Sequence, residues 1–207
     1  MPGSSLWLIP PPSHPLHRIV SELITKDLPS GFPDVCGPPF APHMTLTSNI
    51  PPALYGDQPQ AWLDAIPWPA AGDVRVRFEA VRTEDVFFRR CYLKVAFDGV
   101  RGIAGLARAR GVNGEESAGS GSKTEQWLHE WKAAFGPHVS LIYGDTLIEE
   151  DKLQEITDLV KSKKISLGGS ESSASEEGFG GWEGGVVWLV PTDKPIADWK
   201  PIATKTL

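Results

Sequence analysis

Hydrophobic and polar residues alternate along Val74-Arg75-Val76-Arg77-Phe78, and a period of two marks a strand with one covered face. Val81 to Phe88 extends this strand past a bend, and Cys91-Tyr92-Leu93-Lys94-Val95-Ala96-Phe97, which also alternates, makes an antiparallel partner. Leu6-Trp7-Leu8-Ile9, closed by Pro10-Pro11-Pro12, is a short unbroken apolar run and reads as a buried strand; Val186 to Val190 reads as the last one. Elsewhere the spacing turns helical. Leu16, Ile19, Val20, Leu23 and Ile24 share one face of a helix capped by Ser13. Asp57 caps a short helix through Trp62 and Ile66, and Gly102 to Arg110 makes another despite its two glycines. Ser122 and Glu125 have capping-box spacing and open a helix carrying Trp127, Leu128, Trp131 and Phe135, which Gly136-Pro137 stops. Glu149 to Lys164 carries the clearest helical signal, with acidic residues first, Leu153, Ile156, Leu159 and Val160 on one face, and lysines last. Pro29 to Pro42 is a Gly/Pro-rich connection, while Gly111 to Ser122 and Gly168 to Gly181 read as flexible low-complexity loops. Strands and single helices in this order predict an α+β fold with antiparallel sheets.

The 207 residues suffice for one domain with a sizeable core, divisible into two lobes. A net charge of −6 and a pI near 5.4 argue against a protein that coats nucleic acid, and no stable nucleic-acid partner is expected. A small phosphate-bearing substrate in a local pocket remains compatible with that charge. Cys36 and Cys91 are too few for a disulfide scaffold; they read as two buried thiols, with a single bridge left open. The N-terminus lacks a basic leader, its apolar run is too short for a signal sequence, and no stretch approaches a membrane span, so the expectation is a soluble, intracellular protein; a monomer is expected.

The chemistry lies in a duplication. Pro42-His43-Met44-Thr45-Leu46 recurs as Pro137-His138-Val139-Ser140-Leu141. On strands over His43 to Ser48 and His138 to Tyr143, each imidazole shares a face with the hydroxyl two residues on, and the apolar residues point the other way. One such triplet alone is weak evidence, since a strand histidine is commonly a surface or satisfied core residue. Two matching copies facing each other place two imidazoles and two hydroxyls around a small anion. Imidazole titrates near neutrality, so one copy can act as base and the other as acid, while Thr45 and Ser140 can donate to phosphate oxygens. Tyr143 falls on the opposite face of an ideal strand and reaches the cleft only if the strand ends or bulges by Gly144. Trp182, Trp188 and Phe40 are candidate stacking residues, and Lys94 is either a phosphate contact or a solvated edge. His14, His17 and His129 have no partner at metal-ligand spacing, so neither a metal site nor a cofactor is expected.

The paired His-x-Thr/Ser motifs resemble those of the 2H phosphoesterase superfamily. Within it, His138-Val139-Ser140-Leu141-Ile142-Tyr143-Gly144-Asp145 is similar to the second motif of the cyclic phosphodiesterases of plants and fungi. The resemblance covers most of the chain, from the Trp-containing first strand to the Gly/Trp-rich last one. The cysteine set departs from the disulfide-bearing plant members and brings the chain nearer the fungal ones. The resemblance implies a single bilobal domain over residues 1–207 with pseudo-two-fold symmetry, two antiparallel sheets facing a water-filled cleft, and helices outside. It implies metal-independent hydrolysis of nucleoside 2′,3′-cyclic phosphates to 2′-phosphates, and of ADP-ribose 1″,2″-cyclic phosphate, a tRNA-splicing by-product, to the 1″-phosphate. It gives His138 the role of base and His43 that of acid, although the strand geometry permits either, and it makes Tyr143 a substrate contact. A 2H enzyme acting on RNA ends or 2′-5′ linkages, and a non-catalytic nucleotide-binding module, are the alternatives.

Overall fold

The computed structural model describes residues 3–168 and 178–207. Eight strands appear among them: β1 (Ser4–Ile9), β2 (Met44–Ile50), β3 (Arg75–Arg82), β4 (Cys91–Val95), β5 (His138–Ile142), β6 (Gly181–Glu183), β7 (Val186–Pro191) and β8 (Ala203–Thr206). The α-helices are α1 (Pro15–Glu22), α2 (Leu28–Gly31), α3 (Pro59–Asp64), α4 (Arg101–Arg108), α5 (Lys123–Ala134) and α6 (Glu150–Ser162).

The two expected sheets are joined into one. All eight strands lie in a single antiparallel sheet of order β6-β3-β4-β5-β2-β1-β7-β8. The join is narrow: β2 and β5 share one register pair, Met44 with Val139. The two His strands are thus the innermost strands of two four-strand halves, and the seam runs between them.

Burial follows the pleat. Leu6, Leu8, Met44, Leu46, Leu93, Val139, Leu141, Val187 and Leu189 enter the main core, where Leu16 and Val20 of α1, Ile103 and Ala107 of α4, and Ile156 and Val160 of α6 join them. On the other face Trp7, Ile9, Val186 and Val190 form a smaller cluster with Trp188 and Trp199 packed against it. Strand β1 is therefore covered on both faces, which explains its unbroken apolar run.

Several local expectations change. His14 caps α1 in place of Ser13, its Nδ1 accepting the Leu16 N–H at 3.2 Å. Gln58 precedes α3 without a side-chain cap, so Asp57 does not serve. Strand β3 stops at Arg82, and Phe87–Arg89 is a 3-10 turn. Ser122 caps α5 by accepting the Glu125 N–H at 3.0 Å, but the reciprocal half of the box is absent, because the Glu125 carboxylate pairs with Arg101. The loop read from Gly111 begins inside a π-helical turn, Ala109–Asn113. Beyond it, Glu115 accepts the N–H groups of Lys123 and Thr124 at 3.0 and 3.1 Å, and Ala118 packs on the main core. This loop therefore packs on the helical side of the sheet, its first residue against Ile50 and Thr47 of β2. The loop read over Gly168 to Gly181 lies mostly outside the described residues; its last residue opens β6. Strands β6 and β8 escape the sequence reading because one has three residues and the other, Ala-Thr-Lys-Thr, has almost no apolar signal. None of the described helices is long and apolar enough to cross a membrane.

Candidate active site

With Met44 opposite Val139 in an antiparallel pair, the neighbouring positions bring His43 toward Ser140 and Thr45 toward His138. Met44 and Val139 point into the main core, so all four polar side chains take the other face. Register continues on both sides: Lys94 lies opposite His138, Thr45 opposite Trp7, and Trp7 opposite Trp188. One row of the sheet thus reads Lys94, His138, Thr45, Trp7, Trp188, basic at one end and aromatic at the other.

Each imidazole is oriented by the backbone just before it. His43 Nδ1 lies 2.7 Å from the Ala41 carbonyl, and His138 Nδ1 lies 3.0 Å from that of Gly136. A carbonyl only accepts, so Nδ1 carries the proton in both rings and Nε2 carries the lone pair of each neutral imidazole. The surroundings differ. His43 is 5% exposed, stacks on Trp7 at 3.8 Å, meets Phe40 edge-on, and has Nε2 3.4 Å from the Tyr143 hydroxyl. Burial pushes its pKa down to about 4, against the opposing pull of the Ala41 carbonyl, and the charge of His138 lowers it further. His138 is half-buried. Desolvation lowers its pKa too, the Gly136 carbonyl opposes this, Arg89 lowers it and Glu84 raises it.

The hydroxyls are also unequal. Ser140 Oγ donates to the Phe88 carbonyl at 2.8 Å. Thr45 is half-buried and has no hydrogen-bond partner for its hydroxyl among the described residues. Tyr143 reaches this face because β5 ends at Ile142. Its ring stacks on Phe40 at 3.6 Å, and its backbone is clamped: the Gly37 N–H donates to Tyr143 O at 2.6 Å and the Gly144 N–H to Phe87 O at 3.1 Å. A Cβ at Gly37 would stand 2.6 Å from Tyr143 O, and one at Gly144 2.5 Å from Val35 O, so only glycine permits this approach.

The other sequence candidates divide. Phe40 belongs to the cluster through Tyr143 and His43, and Trp188 lies on the same sheet face. Trp182 does not: it packs edge-on against Phe78 inside the main core. Lys94 flanks His138 in register and is ion-paired with Glu79 at 2.8 Å. Cys36 and Cys91 are free thiols, pushed up to about 11 and about 12 by burial, which leaves them protonated and poor nucleophiles.

Pattern reading missed Trp7, Trp199, Phe88, Tyr92, Glu84 and Arg89. Trp199 packs edge-on against Trp7 at 5.7 Å and lies nearly parallel to Phe88 at 5.9 Å, with Tyr143 6.4 Å away. It comes from the β7–β8 connection and Phe88 from the β3–β4 connection, so the contact crosses the seam above His43. Nothing local to either residue in sequence signals this meeting.

Two imidazoles, two hydroxyls and a phenol thus converge on one face at the seam, with aromatic rings on one flank. The arrangement offers a base, an acid and donors to a tetrahedral anion. The family model for cyclic phosphodiesterase-like protein matches residues 1–207. The chain is 56% identical over 216 residues to a 2′,3′-cyclic-nucleotide 3′-phosphodiesterase of Neurospora crassa, covering 100% of both chains. It is 40% identical to the protein of that name from Phaeosphaeria nodorum, again over 100% of both, and 26% identical to that of Yarrowia lipolytica, over 98% of this chain and 99% of the relative. Full-length coverage at such identity, with both His motifs meeting at one seam, shows that the chain belongs to the cyclic phosphodiesterase-like family of the 2H phosphoesterases and is an enzyme of that class.

Proposed function

We propose that this protein hydrolyses nucleoside 2′,3′-cyclic phosphates to nucleoside 2′-phosphates without a metal ion. The carrying observation is the pair of Nε2 lone pairs, each fixed by a carbonyl behind its ring and flanked by a hydroxyl on the same sheet face. The name borne by the three relatives denotes the 3′ ester, whose opening leaves the phosphate on O2′. Among the described residues no group of three or more His, Cys, Asp or Glu side chains is placed to hold a metal. Family resemblance extends the proposal to ADP-ribose 1″,2″-cyclic phosphate from tRNA splicing and to a single domain with quasi-equivalent halves; the acidic charge supports an enzyme without a stable nucleic-acid partner, and we take it to act as a monomer. Four strands on each side of the seam, His strand innermost, support that equivalence.

In the reaction, one Nε2 takes a proton from water as it attacks phosphorus opposite O3′, and the other imidazole, protonated, gives its proton to O3′ as the P–O bond breaks. Thr45, Ser140 and the Tyr143 hydroxyl hold the non-bridging oxygens. We read the roles in the reverse of the family resemblance: enclosure by Trp7, Phe40 and Tyr143 favours the neutral form of His43, which supports it as the base and leaves His138 as the acid. Trp199 and Phe88, with the buried Trp7 packed behind Trp199, fix the base of the nucleotide and thereby decide which ester oxygen faces the acid.

The test is product identification. With 2′,3′-cyclic AMP in excess EDTA, adenosine 2′-phosphate is the expected sole major product. A dominant 3′-phosphate, or activity lost to EDTA and restored by a divalent ion, overturns the reading, and cleavage confined to a 2′-5′ oligonucleotide favours the RNA-directed alternative. Trp199→Ala should weaken nucleotide binding by roughly 1–3 kcal/mol, the scale of base–aromatic stacking. A cyclic phosphate diester without a base should bind the variant almost as it binds the parent. Equal weakening of both ligands, measured as inhibition constants, removes Trp199 from nucleoside recognition.

A further inference from the structure

A continuous chain of side chains outside both His motifs stands behind His138. The Tyr92 ring meets the His138 imidazole edge to face, centroids 5.3 Å apart. The Tyr92 hydroxyl donates to Glu84 Oε1 at 2.5 Å, and the other Glu84 oxygen pairs with Arg89. Arg89 in turn donates to the Phe135 carbonyl at 3.2 Å, at the end of α5, and lies over the rings of Phe135 and Tyr92. Tyr92 and Arg89 are both buried.

We infer that Glu84, acting through Tyr92, is the positioning residue for His138, with Arg89 as its counter-charge. This rests on the function proposed above. This ion pair is only partly buried, Glu84 keeping 32% of its side chain exposed, and such a pair contributes little stability, so packing alone gives little reason for charges here. Their location gives a better one. Glu84 and Arg89 act on His138 in opposite directions, whereas His43 is enclosed by Trp7, Phe40 and Tyr143. Two motifs of near-equal chemistry are thereby made unequal. The groups facing His138 are Tyr92 and Lys94 from β4, the latter paired with Glu79, Glu84 and Arg89 from residues 83–90, and His43 and Thr45 across the seam. The same connection fixes Ser140 through the Phe88 carbonyl and holds the segment after Tyr143, since Arg90 donates to the carbonyls of Gly144 and Asp145 at 3.0 and 3.2 Å.

The experiment pairs an NMR titration of the His138 ring with the pH profile of kcat/KM, in Glu84→Gln, Arg89→Gln and Tyr92→Phe. Glu84→Gln keeps an acceptor for Tyr92 but removes the anion, and should lower the His138 midpoint by roughly half a unit to one unit. Arg89→Gln should raise it. The His43 midpoint should stay in place in both. Tyr92→Phe keeps the ring and loses the tether, and should lower kcat about three- to tenfold with KM unchanged. A His138 midpoint indifferent to both charge changes, or moved the same way by both, overturns the inference. Should Arg89→Gln fail to fold, Glu84→Gln and Tyr92→Phe still decide. The titration needs no turnover, so it separates this inference from the proposed activity. Movement of the alkaline limb in Glu84→Gln supports His138 as the acid; movement of the acidic limb supports the coupling and returns the base role to His138.

Discussion

Replacing His43 or His138 by alanine is expected to lower kcat/KM at least about a hundredfold, the scale of a positioned acid or base. Because both act in one reaction, the double variant should be little worse than either single one. The structure separates the two in another respect. A wet cleft would make both replacements harmless to folding, and His138, half-buried, fits that expectation. His43 does not: it is 5% exposed and stacked on Trp7, so alanine leaves a void beneath the aromatic cluster. His43→Ala should therefore also lower the melting temperature, and His43→Gln, which refills the space without an imidazole, provides the cleaner rate. Near-normal turnover in either folded variant removes that residue from the mechanism.

The hydroxyls should be unequal as well. Thr45 has no competing hydrogen bond among the described residues, so its full donor strength is available to a phosphate oxygen, and Thr45→Val should lower kcat about a hundredfold, on the order of 3 kcal/mol. Ser140 already donates to the Phe88 carbonyl at 2.8 Å. Turning to the substrate, it abandons that acceptor, and the exchange of one bond for another is worth only about 1 kcal/mol. Ser140→Ala should accordingly lower kcat about tenfold. Single-turnover rates of the two variants compare the terms directly. An equal loss, or a larger one at Ser140, contradicts the committed geometry of its hydroxyl.

The sequence alone determined the strands that matter most and the side chains they carry. Periodicity two at His43-Met44-Thr45-Leu46 and His138-Val139-Ser140-Leu141 dictates that imidazole and hydroxyl share one face and that Met44 and Val139 enter the core, whatever the strands pair with. Tyr143 was legible as a conditional: its parity is wrong for the cleft unless β5 ends, and β5 ends at Ile142. The sequence could not say that the two His strands are neighbours joined by one register pair, since strand pairing depends on contacts about a hundred residues apart. The inequality of the histidines was equally hidden. Trp7, Trp199, Tyr92, Glu84 and Arg89 come from different elements, and in the linear pattern each is an ordinary core or surface residue. Only the packed sheet brings one imidazole against aromatic rings and sets the other beside a partly buried ion pair. Proton affinity depends on desolvation and on charges a few ångströms away, and those distances exist only once the chain has folded.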